Sequence, residues 1–116
     1  MKLLYPYQYI KILSPKIYRI GISSILQKKL KDDFKKNSHF KLEIKNIETP
    51  IFRENIACSL YNMDSSYLFF SPYTGIIVNK NMDLIKNTKL ILDNNENQNW
   101  LFDLKIYINY EYNTYS

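Results

Sequence analysis

Apolar and polar residues alternate along most of this chain. Tyr9-Ile10-Lys11-Ile12-Leu13 and Ile17-Tyr18-Arg19-Ile20-Gly21-Ile22 follow the two-residue period of half-buried strands, and Ser14-Pro15-Lys16 turns between them, which predicts a hairpin. The period then changes. Leu26, Leu30 and Phe34 recur at four-residue spacing, with Lys28, Lys29, Lys31 and Asp32 left outward, so a helix follows, capped by Ser23 or Ser24 and broken at Asn37-Ser38. Alternation resumes at Phe40-Lys41-Leu42-Glu43-Ile44, which turns Phe40, Leu42 and Ile44 inward and Lys41 and Glu43 to solvent. Pro50 marks a loop, Ile56 to Met63 and Tyr67 to Phe70 form the arms of a second hairpin, and Pro72 ends it.

Ile76-Ile77-Val78 is a short buried strand, and Asn81 caps a helical turn containing Leu84 and Ile85. Trp100, Phe102, Leu104, Ile106, Ile108 and Tyr110 share one face of a final strand. The result is mainly β: one domain over 1–116, with short antiparallel strands in a flattened barrel or sandwich and one or two short helices. No internal repeat or linker interrupts it.

The most specific segment is the second hairpin with its return, Tyr61-Asn62-Met63-Asp64-Ser65-Ser66-Tyr67-Leu68-Phe69-Phe70-Ser71-Pro72-Tyr73-Thr74-Gly75. It resembles the H-protein of the glycine cleavage system, where a strand carries E-S-V-K-A to a tight turn and returns through Y-S-P-x-S-G. The resemblance extends to Ile20-Gly21-Ile22-Ser23 with Gln27 and Leu30, similar to V-G-I-T-x-x-A-Q-x-x-L. It continues in Asn81-Met82-Asp83-Leu84-Ile85, similar to N-E-A-L-L, and in Trp100-Leu101, where the family has G-W-L. It covers 7–105 with a short insertion near Phe34 to Ser38 and a single extra residue near Leu13 to Lys16. Residues 106–116 form a divergent tail that alternates where the family has a helix.

This resemblance implies a lipoyl-carrier fold of the lipoyl/biotinyl type, and an arm on a lysine at the hairpin tip that swings between glycine cleavage enzymes. An ungapped count back from Ser71-Pro72 places Asp64 at that lysine position, and no lysine lies between Lys45 and Lys80. A carboxylate cannot form the amide that holds lipoic acid. The expectation is a member without the lipoyl group and without any cofactor, not an enzyme, that serves as a docking or structural subunit. Tyr61 replaces the family's acidic residue, and Lys31, Glu54, Cys58, Asn97 and Asn99 stand where the family has glycine. The chain holds two glycines and thirteen asparagines, and asparagine is expected to supply the left-handed turn positions.

Charge leaves a second reading open. The net charge is +5, and the first 31 residues carry seven basic side chains and no acid, so a basic β-barrel binding nucleic acid is the alternative. Against it, 14 of the 16 basic residues are lysine, and only Arg19 and Arg53 can grip phosphate bidentately. Lysine, asparagine, isoleucine and tyrosine are all encoded by A/T-only codons, which accounts for much of the excess. The single Cys58 excludes an internal disulfide and fits a reducing compartment. Pro6 cuts Leu3-Leu4-Tyr5, so no secretory signal is expected; the family implies a mitochondrial location in a eukaryote and a cytoplasmic one otherwise.

Candidate chemistry is sparse. His39 has no cysteine at metal-ligand spacing, so no metal site is expected. Cys58 sits in an alternating strand and reads as core, and Asp32-Asp33 reads as a solvated helix face. Alternation cannot bury Tyr67, Phe69, Phe70 and Tyr73 together. Tyr61, Asp64, Tyr67, Phe69 and Tyr73 are therefore the candidate docking surface, for protein partners that include glycine cleavage enzymes or a larger assembly.

Overall fold

The computed structural model describes residues 7–93 and 98–107. The first hairpin is β1 (Gln8–Ile12) and β2 (Ile17–Ile22), with Lys11 opposite Arg19 and Ile10 opposite Ile20. Helix α1 (Ser24–Lys36) starts at Ser23, whose Oγ accepts from the Leu26 amide at 3.3 Å. It buries Leu26, Gln27, Leu30 and Phe34, and Phe34 stacks on Phe40 at 4.6 Å. Then come β3 (Lys41–Ile44), β4 (Pro50–Ile51), β5 (Ile56–Tyr61), β6 (Ser66–Phe70), β7 (Gly75–Lys80), the short α2 (Met82–Lys86), a 3-10 turn (Thr88–Leu92) and β8 (Trp100–Ile106).

These strands make two antiparallel sheets, ordered β1-β2-β8-β7-β4 and β3-β5-β6. The fold is a sandwich, and the barrel half of the expectation falls because the sheet edges are not joined by a continuous ladder. The core lies between the sheets and under α1: Ile20, Ile22, Leu26, Leu30, Leu60, Phe69, Ile77, Leu84, Ile91, Leu101, Phe102 and Leu104 are all sealed from water. Each such side chain contributes about 1.5–3 kcal/mol by leaving water.

Polar side chains close the seams that apolar packing cannot. Gln8, on the edge of the larger sheet, donates through Nε2 to the Phe70 carbonyl at 2.8 Å and accepts from the Phe70 amide at 3.0 Å, on the edge of the smaller one. Gln27 Nε2 donates to the carbonyls of Ile91 and Asp93 at 2.8 and 3.0 Å, pinning the 3-10 turn to α1. Asn81 caps α2 through Oδ1, while its Nδ2 donates to the Gln98 and Trp100 carbonyls. Gly75 is tight for another reason: a Cβ there would collide with the backbone carbonyl of Lys105 on β8.

Several boundaries differ from the pattern reading. Asn62 and Met63 belong to the hairpin loop rather than the outgoing arm, and β6 opens at Ser66. Pro50-Ile51 pairs with β7 because Ile51, opposite Gly75, is buried. In β8, Leu101 and Asp103 are buried on the second face as well, so strict alternation does not describe it. The strand ends at Ile106, and Tyr107 lies beyond it. The expectations on Leu3 to Pro6, Asn97, Ile108 and Tyr110 lie outside the described residues.

Replacing Gln8 by alanine removes both inter-sheet bonds, each worth about 1 kcal/mol net, with a further penalty for backbone groups that lose their partner in a buried seam. The Gln8→Ala variant is expected to lose about 2–3 kcal/mol of unfolding free energy in urea denaturation. A midpoint unchanged from the parent protein contradicts the bridging role.

Candidate functional site: the hairpin tip and its anchor

The loop joining β5 to β6 is Asn62-Met63-Asp64-Ser65, closed by the Asn62 amide donating to the Ser65 carbonyl at 2.9 Å. Asn62 organises it from within: Oδ1 accepts from the amides of Asp64 and Ser65 at 2.8 and 2.7 Å, the side-chain mimic of a backbone turn. Met63 stands out of the loop, 96% exposed, and Asp64 is exposed beside it. The tip is also tied outward, to the end of α1. Asn62 Nδ2 donates to the Asn37 carbonyl at 3.0 Å, and Asn37 Nδ2 reaches Asp64 Oδ2 at 3.3 Å. Asn37 is the C-cap of α1 and lies within the segment that the family resemblance leaves as an insertion.

The remaining candidate docking residues divide. Tyr61 is half-buried and donates to Glu43 Oε1 at 2.7 Å across the outer face of the smaller sheet; that bond to a carboxylate holds its phenol above the usual range. Tyr67 and Phe69 point inward, 8% and 0% exposed, so neither can form a docking surface. Their parity on β6 decides this: the residues that face out on that strand are Ser66 and Leu68. Tyr73 is partly buried against Tyr18, edge to face at 5.2 Å. The exposed apolar residues on or beside this hairpin are Met63, Leu68 and Ile56, which the sequence reading did not select.

Asp33 is not part of a solvated face. It is half-buried and accepts a hydrogen bond from Tyr67 Oη. Burial, then that bond, pushes the Tyr67 phenol up from its ordinary range. Lys29 Nζ lies 5.6 Å from the ring centroids of both Tyr7 and Tyr67, and these rings meet edge to face at 6.0 Å. Helix, first strand and hairpin are thus locked beside the tip. Cys58 is buried, and desolvation pushes its thiol up, away from the reactive thiolate. Among the described residues no group of His, Cys, Asp and Glu is placed to hold a metal ion.

The return loop shows where backbone strain sits. Ser71 is fully buried, donates from Oγ to the Tyr73 carbonyl at 2.7 Å and accepts from the Glu54 amide through its own carbonyl. Glu54 adopts φ 70° there, at a position where the resembling family has glycine, and Glu48 adopts φ 71°. Among the described residues no asparagine has positive φ; asparagines cap and brace instead. Arg19, one of the two arginines suited to phosphate, is committed elsewhere. It grips Asp103 bidentately at 2.8 and 3.0 Å and lies 4.0 Å over the Trp100 ring, and the bond to Asp103 raises its pKa. Among the described residues the lysines belong to α1, both sheets, α2 and the connecting segments.

The family model for the glycine cleavage H-protein matches residues 1–114. Among solved structures the chain is similar to a glycine cleavage system H protein from Mycobacterium marinum, with a TM-score of 0.67 and 13% identity over 87% of this chain and 79% of that one. At that identity the likeness is one of fold. A comparison with curated protein sequences finds no match.

Two substitutions probe this region. Asn62→Ala removes the internal brace and the tie to Asn37, so the amides of Asp64 and Ser65 are expected to exchange faster and stability to fall by about 1–2 kcal/mol. Unchanged exchange at both amides rules out the bracing role. Glu54→Gly is expected to raise stability by up to about 1 kcal/mol, because glycine adopts positive φ without the Cβ clash. A loss of stability in thermal unfolding refutes strain at this position.

Proposed function

The chain belongs to the glycine cleavage H-protein family, and from that premise we propose that it is a member without the lipoyl arm, acting as a docking or structural subunit. The observation that carries this reading is the tip itself. Asn62-Met63-Asp64-Ser65 offers no amine, and no lysine lies between Lys45 and Lys80. The residues present do not fit a lipoyl group, since amide formation needs a nucleophilic nitrogen and Asp64 presents a carboxylate. The Asp64 carboxylate is moreover engaged by the Asn37 side chain at the helix C-cap.

Docking requires no lysine. Met63 projects from the tip as an apolar knob, and the last turn of α1, whose C-cap Asn37 bonds to the tip, carries Lys35 and Lys36. Protein partners, glycine cleavage enzymes or a larger assembly, are accommodated by this end of the molecule. The nucleic-acid alternative gains nothing from the geometry, because Arg19 is held by Asp103.

The test is intact mass of the protein from its native source, with an anti-lipoyl blot. The expected mass is that of the unmodified chain, and a lipoyl increment on any residue overturns the proposal. Asp64→Lys, incubated with a lipoate ligase, separates two histories. Modification shows that only the amine was lost, whereas refusal shows that the latched tip no longer resembles a ligase substrate.

A further inference from the structure

Sulfur sets the hairpin tip apart from the rest of the described surface. The chain holds three methionines and one cysteine. Cys58 is buried, and desolvation pushes its thiol up, so it stays protonated and out of reach of solutes. Met82, the first residue of α2, is 47% exposed. Met63 is 96% exposed, which leaves its thioether open to water and small solutes. The bonds that build the tip run through Asn62, Asp64, Ser65 and Asn37, and Met63 takes part in none of them. A change confined to its side chain therefore leaves the braces of the loop in place. Met1 lies outside the described residues.

We propose that Met63 is a reversible oxidation site, converted by hydrogen peroxide to methionine sulfoxide while the fold stays intact. A sulfur lone pair attacks one peroxide oxygen and the O–O bond breaks. The departing hydroxide takes up the proton of the transferred oxygen and leaves as water. The sulfur loses two electrons and the peroxide gains them. A dithiol, acting through a sulfoxide reductase, reverses the step: it becomes a disulfide, and the oxygen leaves as water. Oxidation turns a flexible apolar side chain into a polar one. In a core that change disrupts packing, but Met63 has almost no packing to lose, so the effect falls on whatever meets the tip. Loss of an apolar docking contact rests on the docking role proposed for the tip; the oxidation itself does not.

The test exposes the folded full chain to hydrogen peroxide, with samples quenched over time and digested with trypsin. Cleavage after Lys80 separates Met63 from Met82, and fragment masses distinguish Met63 from Cys58 in their shared peptide. Met63 is expected to gain one oxygen at least about threefold faster than Met82, with Cys58 unchanged over the same interval. Singly oxidised protein is expected to keep the thermal midpoint of the parent and to regain the unoxidised mass with a sulfoxide reductase and dithiothreitol. Met63→Leu is expected to lose the fast phase and leave the Met82 rate unchanged. Equal rates at Met63 and Met82 overturn the site, as does earlier oxidation of Cys58. A lowered midpoint overturns the intact fold, and failure of reduction overturns reversibility. A lipoyl increment on the native protein removes the docking role and leaves these rates as they are, so the two fail separately.

Discussion

Two short-stranded sheets packed face to face leave a seam where their edges meet, and here one side chain closes it. The amide of Gln8 gives Phe70 a donor and an acceptor at the spacing of a strand partner, so β1 and β6 join without a shared ladder. The geometry of the hairpin follows from that join. With Phe70 fixed, Phe69 and Tyr67 take the inward positions, and Tyr67 meets Asp33 of α1. A glutamate could not substitute for Gln8, because it lacks the donor that the Phe70 carbonyl requires.

The same logic governs the tip. In this chain the hairpin tip is drawn toward the helix. Asn37 ends α1 with its carbonyl accepting from Asn62 and its side chain reaching Asp64. A single exposed hydrogen bond contributes little in water, but here the two Asn62 bonds to the loop amides pre-form the turn, so little entropy remains to be lost when the helix is engaged.

Electrostatics sort the remaining surface. Asp103 is nearly buried, and an unpaired carboxylate there would be costly, so the bidentate contact from Arg19 and the bond from Asn79 Nδ2 at 3.4 Å are structural requirements. The excess positive charge resides on lysines distributed over several elements. Such charge favours solubility and acidic partners in general.

Much of this was legible in the chain. Alternation placed the strands, the four-residue spacing of Leu26, Leu30 and Phe34 placed α1, and Ser71-Pro72 with Gly75 marked the return loop; the absence of a lysine at the tip is likewise a property of sequence alone. These features are local, fixed by the two periods of the backbone and by single residue types. Burial on β6 was misjudged because parity says which residues share a face, not which face is covered. The bridging roles of Gln8, Gln27 and Asp103, and the bonds of Asn81 to the Gln98 and Trp100 carbonyls beyond the cap it was expected to form, were invisible for a related reason. Each bonds to a partner 17 to 84 residues away. A polar side chain in the sequence looks the same whether it meets water or another strand's carbonyl, and only the packing of the two sheets decides which.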